Sequence, residues 1–178
     1  MAAEANVNAV VTVRLARAED ADAIGRIQVE TWRAAYTGLM PDEAIEGFDI
    51  GARQQLWREG LGRTPRPGSA TFVVEDGGEV VGFASVGASR DETEIREAEL
   101  YAIYLHPSRW SRGIGRALLG RAEESMRASG FREAILWVLE GNERGERFYR
   151  AAGWEHDGRK DDQFQGAAVT ELRYRKRL

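Results

Sequence analysis

The 178-residue chain contains no cysteine. Disulfides, thiolate metal sites and a thiol nucleophile are therefore excluded. It holds two histidines, His106 and His156, too few for a histidine-rich metal centre, so no metal is expected. Lysine is nearly absent as well: among 25 basic residues only Lys160 and Lys176 are lysines. No run of about eighteen apolar residues occurs, so no membrane span is expected. The stretch Met1–Asn8 lacks a basic start and a signal-type apolar core. Residues 1–8 are expected to be a short disordered leader, with 9–178 forming a single domain located in the cytoplasm. The formal net charge of −4 argues against general nucleic-acid binding.

What is present suits a globular protein with a sizeable core: 43% hydrophobic and 30% charged residues. Val10–Arg17 alternates and reads as a first strand. A helix follows from Asp20 or Asp22 to about Tyr36, broken by Gly38 and Pro41. Short helices are expected after Pro41 and within Ile50–Gly60. Ala70–Glu75 and Glu79–Gly87 flank Asp76-Gly77-Gly78, a hairpin signal. Ala88–Glu97 is a charged connection. Strand and helix then alternate, with a strand near Trp154–Gly158. The basic run Arg173-Tyr-Arg-Lys-Arg177 reads as part of a final strand, Val169–Arg177, because Leu172 and Tyr174 alternate with charges. Those charges are expected to guard a sheet edge.

The most informative segment is His106-Pro-Ser-Arg-Trp-Ser-Arg-Gly-Ile-Gly-Arg-Ala-Leu-Leu119. The apolar run Leu100–Leu105 before it is long enough for a half-buried strand, which Pro107 should end. Beyond Gly115, Ile114, Leu118, Ala122 and Met126 recur every four residues on one helix face. A strand feeding a glycine turn at a helix N-terminus is an anion site. The first helical N–H groups lack internal partners, and the macrodipole there is positive. Arg112 and Arg116 add charge, so a phosphate or pyrophosphate is the natural ligand. The chain lacks the Gly-Lys-Ser/Thr string of a P-loop. The dinucleotide fingerprint fails because Leu118 stands at its third glycine position.

The remaining pattern resembles the coenzyme-A pyrophosphate loop of the GCN5-related N-acetyltransferases (GNAT). That family usually has Gln or Arg at the leading position, where Trp110 stands here. A second segment strengthens the likeness. The strand Glu133–Leu139 is followed by Asn142, a Phe148-Tyr149 pair and Gly153-Trp154, similar to the family's later motif. The resemblance implies an α/β (α+β) fold: a mixed, mostly antiparallel sheet of six to seven strands, helices on both faces and a splayed central strand pair. It implies direct acetyl transfer from acetyl-CoA, as co-substrate, to an uncharged primary amine of a small molecule.

Site residues follow from the same resemblance. The pyrophosphate would rest on Ser111, Arg112, Gly113, Ile114, Gly115 and Arg116. The pantetheine would pair with strand backbone around Ile103 and Leu105 and reach Asn142. Tyr149 would protonate the departing sulfur. Glu99, two residues before Tyr101 and expected to face the same side, is the candidate base, acting directly or through a water. Glu30 and His106 are its runners-up. Trp32 and Tyr36, four apart on one helix face, would form an aromatic wall for the acceptor, with Tyr101 and Glu30 nearby, although core packing explains that pair equally well. A loop near Phe164 could close the pocket. Two other readings remain: a non-catalytic acetyl-CoA sensor, and an acetyltransferase for protein N-termini or lysines. A homodimer is possible; no nucleic acid or membrane partner is expected.

Overall fold

The computed structural model describes residues 11–90, 97–164 and 166–178. The expected leader, the middle of the charged connection and Gln165 lie outside the described residues. Seven strands form one sheet in the order β1-β2-β3-β4-β5-β7-β6. They are β1 (Val11–Leu15), β2 (Ala70–Asp76), β3 (Glu79–Ala88), β4 (Glu97–Leu105), β5 (Glu133–Leu139), β6 (Glu155–Phe164) and β7 (Ala167–Arg177). The helices are α1 (Ala21–Tyr36), α2 (Asp42–Glu46), α3 (Ile50–Leu61), α4 (Ile114–Ala128) and α5 (Glu143–Ala151). All strand pairs are antiparallel except β4 with β5.

Strand alternation sends apolar residues to both faces, and each face is covered by helices. Phe72, Val74 and Ala84 pack with Leu118, Ala122 and Met126 of α4. On the opposite face, Val73 and Phe83 pack with Ile24 and Ile27 of α1. The four-residue spacing read in α4 is thus its buried face. α1 in turn carries α3, and Gly25 permits their close approach: a Cβ there would sit 2.6 Å from the Gln54 backbone nitrogen. The β2–β3 hairpin turns through Gly77 and Gly78, with φ of 64° and 85°, a backbone that glycine adopts without strain.

Two sequence expectations need correction. The final strand is not an edge. β7 inserts between β5 and β6, and Arg173, Arg175 and Lys176 answer acidic neighbours. Arg175 binds Glu97, lies 3.1 Å from Glu133 and 2.7 Å from Asp157, and Lys176 lies 2.8 Å from Glu123. The strand after Trp154 also continues past Gly158 to Phe164, because β7 supplies a full-length partner for it.

The feature that positions the site is the β4–β5 junction. These parallel strands pair only at Glu97↔Glu133, Ala98↔Ala134 and Glu99↔Ile135. Beyond Glu99 they separate, giving the expected splay. The closed end of this V is held by Arg175, which reaches across from β7 to Glu97 on β4 and Glu133 on β5. The Glu97 side chain is 2% exposed. Removing its partner strands a buried carboxylate, which costs more than an exposed ion pair contributes. Arg175→Ala is expected to lose about 3 kcal/mol of stability, read as a lower urea midpoint at unchanged slope. An unchanged midpoint would show that Arg175 does not clamp the V.

Candidate active site

Where the strands part, the β4 backbone has an open side. His106 N donates to Val81 O at 2.8 Å, so that opposed pair is hydrogen-bonded. In an antiparallel ladder such pairs alternate. Leu105 opposite Gly82 and Ile103 opposite Ala84 are therefore the non-bonded pairs. Their N–H and C=O groups turn away from β3, toward the splay. The Leu105 carbonyl already accepts from Trp110 Nε1 at 2.7 Å and Thr31 Oγ1 at 3.2 Å. The Leu105 N–H and both backbone groups of Ile103 face the gap.

Two helix N-termini flank that gap, and they differ. At α5 the Asn142 side chain accepts from Gly145 N at 3.0 Å, so the helix is capped from within. At α4 the N-cap is Gly113, with φ 79° and no side-chain cap. The first amides of α4 are left for an outside acceptor. Ser111 has φ 63°, the only positive φ of a non-glycine among the described residues. Successive left-handed positions at Ser111 and Gly113 turn main-chain N–H groups inward, an anion-binding nest. Arg112 is exposed beside it, and Ile114 is buried in the core below. Gly115 lies against Phe148 of α5. Arg116 behaves differently from expectation: its Nη2 donates to Ala151 O at 3.0 Å, at the C-terminal end of α5. That placement suits a cation at a helix C-terminus.

Trp110, the departure from the family pattern, is not idle. While its indole N–H holds the Leu105 carbonyl, its ring carries the Arg144 guanidinium at 3.9 Å. Arg144 belongs to the first turn of α5, so this cation–π contact joins the two sides of the gap. Nothing in the spacing of the sequence pointed to Arg144.

On the α1 side the splay opens into a cavity of about 530 Å³. The expected aromatic wall is there: the Trp32 and Tyr36 rings are 4.6 Å apart, and Trp32 stacks on Phe48 at 4.7 Å. Phe164 also reaches Trp32, at 4.5 Å, from the end of β6 rather than from a loop. Glu99 and Tyr101 both line the cavity. They do so through an irregularity, not simple alternation: Ser85 faces Ala102 and Val86 faces Leu100, leaving Tyr101 as an extra residue. The Tyr101 hydroxyl donates to Ala88 O.

Glu99 is more constrained than its type suggests. Its side chain is 2% exposed and both carboxylate oxygens are engaged by Arg90. Arg90 donates through its backbone N at 2.9 Å and through its guanidinium. The hydrogen bond to Glu99 raises the Arg90 pKa, so that the cation persists. Glu30 is not among the cavity-lining residues. It lies 3.2 Å from His106 Nε2, and the His106 Nδ1 is 2.7 Å from Ser108 Oγ, at the start of the loop.

Tyr149 packs against Phe148, Trp154 and Tyr174 and has no hydrogen-bond partner among the described residues. Burial, helped by nearby Tyr104, pushes its phenol far above the usual value near 10. Burial does the same to Tyr36, which has Tyr104 and Tyr149 as neighbours and Asn142 acting weakly in the opposite direction. Tyr36, Tyr104, Tyr149 and Asn142 therefore form one polar cluster between cavity and gap. The cavity residues that escaped sequence reasoning include Tyr104, Trp137, Lys160 and Glu171. Extending β6 through Lys160 at two-residue spacing would have exposed one of them. Among the described residues no group of acidic and imidazole side chains could hold a metal.

Known proteins share this architecture. The model of the acetyltransferase (GNAT) family matches residues 22–154. An uncharacterized N-acetyltransferase, YuaI of Bacillus subtilis, is 34% identical over 164 residues, covering 92% of this chain and 91% of that protein. A spermidine N(1)-acetyltransferase of Thermoplasma acidophilum is 26% identical over 145 residues, covering 82% and 88%. The crystal structure of PaiA N-acetyltransferase from the same organism, in complex with coenzyme A, superposes with a TM-score of 0.71 at 21% identity, covering 95% of this chain and 99% of that one. The strand splay, the uncapped α4 and the family match together place this chain in the GNAT family of N-acetyltransferases.

Proposed function

We propose that the protein transfers the acetyl group of acetyl-CoA directly to the primary amine of a small molecule. The observation that carries this reading is the splay. It opens an unpaired strand edge between a nest of free amides on one side and an aromatic-lined cavity on the other. The nest residues Ser111–Arg116 would receive the diphosphate. The open backbone of Ile103 and Leu105 would pair with the amide-bearing pantetheine arm, as an added strand pairs with a sheet edge. Asn142, with its oxygen committed to the helix, keeps its amide N–H groups for that arm or for the Tyr36 hydroxyl.

The cavity would hold the acceptor against Trp32, Tyr36 and Tyr101. Fixing both partners in one cleft removes much of the entropic barrier. Attack by a neutral amine expels a thiolate, and Tyr149 would supply its proton. A phenol held protonated by burial is suited to this role. Glu99, its charge balanced by Arg90, would orient the amine and take its proton through a water. With no cysteine present, an acyl-thiol intermediate is impossible, which favours direct transfer in a ternary complex. The relative whose name specifies spermidine supports a small-molecule acceptor. The aromatic walls of Trp32, Tyr36 and Phe48 suit a small acceptor.

Thiol release from acetyl-CoA across a panel of small amines tests the proposal. Intersecting initial-velocity lines are expected. Release with no amine, despite tight acetyl-CoA binding, would instead support a ligand sensor. Tyr149→Phe is expected to lower kcat at least tenfold while leaving acetyl-CoA affinity within about twofold; undiminished kcat removes the acid role. Because the Tyr149 pKa is raised, that proton stays in place through neutrality and beyond. Turnover should show no alkaline fall from this group below about pH 10, the usual phenol value. Gly113→Ala meets no neighbouring atom, so its cost is backbone strain, about 1–2 kcal/mol. It is expected to weaken acetyl-CoA binding in calorimetry, and unchanged binding would remove the nest from the site.

A further inference from the structure

The acceptor cavity already contains a primary amine. Lys160 projects from β6 into the same lining as Trp32, Tyr36, Tyr104 and Leu139. Its Nζ lies 4.2 Å above the Trp137 ring, 3.3 Å from Glu171 and 3.4 Å from Asp162. The side chain is 37% exposed. The other lysine is placed quite differently. Lys176 Nζ donates to both oxygens of Glu123 at 2.8 Å and to Ala152 O at 2.7 Å, behind α4 and away from the cavity. The remaining 23 basic residues are arginines (25 basic residues less the two lysines), whose guanidinium stays protonated and cannot act as an acyl acceptor.

We propose that Lys160 is a self-acetylation site: the enzyme transfers an acetyl group from acetyl-CoA to its own cavity lysine. This rests on the acetyl-CoA reading above. The ammonium of Lys160 gives one proton to Glu171 or Asp162. The freed lone pair of Nζ forms the C–N bond at the acetyl carbonyl carbon. The C–S bond then breaks, and Tyr149 protonates the departing sulfur. The second proton lost by nitrogen restores the phenol. The products are the Lys160 amide, free CoA thiol and one released proton.

The modification would change the cavity's chemistry. Before it, Arg90 and Lys160 face Glu99, Asp162 and Glu171. After it, Arg90 alone faces the three carboxylates, and Trp137 keeps only the more distant Arg173, 5.7 Å from its ring. Glu171 and Asp162 lose their partner and become available to a cationic acceptor. Self-acetylation thus primes the cavity for amines that carry a second positive charge.

The test uses purified full-length protein whose starting mass is unmodified, incubated with acetyl-CoA and mapped by peptide mass spectrometry. One acetyl mass is expected at Lys160, with Lys176 at least tenfold slower. Labelling should fall at least tenfold in Tyr149→Phe, whose acetyl-CoA binding is checked by calorimetry. Lys160→Arg should carry no label on that peptide. Labelling at Lys160 that is equally fast in Tyr149→Phe would be ordinary chemical acylation and would overturn the inference. So would an unlabelled Lys160 in a protein that releases thiol with amines from the panel, a result that leaves the proposed function intact. Failure of thiol release with every amine, with no label, overturns both.

Discussion

The structure depends on two strands that begin together and end apart. A parallel pair gains a hydrogen bond with each residue it continues, so stopping after Glu99↔Ile135 leaves donors and acceptors unanswered. Something must hold the first three pairs while the rest separate. Arg175 does so from a third strand, binding the buried Glu97 and the nearby Glu133, and it is itself steadied by Asp157. The open end has its own supports. Trp110 and Thr31 occupy the Leu105 carbonyl, and Arg144 rests on Trp110 across the gap. What stays unanswered is a short stretch of strand edge, which an amide-containing ligand can complete without any side chain having to move.

Charge is used in two distinct ways along this V. At the closed end, the buried Glu97 is paired with a half-buried Arg175, which also binds the half-buried Glu133 and Asp157 and fixes geometry. Along the cavity, pairs sit at the rim with one member accessible: Arg90 with Glu99, and Lys160 with Asp162 and Glu171. The Lys160 pairs, partly exposed on every member, cost little to rearrange, whereas releasing Arg90 would strand the buried Glu99 carboxylate. The cavity can therefore redistribute its charges around an acceptor without unfolding the sheet that frames it.

Much of this was legible in the sequence, and the reasons are local. Gly113 and Asn142 announce helix starts because one needs a left-handed backbone and the other supplies a cap. The four-residue rhythm from Ile114 to Met126 marks one buried face because that face of α4 packs on the sheet. The misses are non-local. That β7 lies inside the sheet depends on its pairing with β5 and β6 together, which no two-residue alternation records. The Arg90 partner of Glu99 was missed because no helix or strand period links the two positions. Tyr101 shares its side through an extra residue in β4, a register event invisible to a period of two. Glu30 shares α1 with Trp32, yet helix rotation carries it to His106 and away from the cavity lining.

The contrast between the two helix N-termini explains why one chain can bind a large anionic thioester and still fold without it. α5 satisfies its first turn with Asn142, so it is complete in the free protein and can hold Tyr149 against Trp154 and Tyr174. α4 leaves its first turn to solvent, a cost borne where water can reach it: Ser111, Arg112 and Gly113 are all exposed. Had Asp or Ser stood at the Gly113 position, its side chain would compete with any phosphate for the same amides. The glycine does more than permit a turn. It keeps the first amides of α4 free of an internal acceptor, while the neighbouring helix is capped by Asn142 and packs Tyr149 against Trp154 and Tyr174.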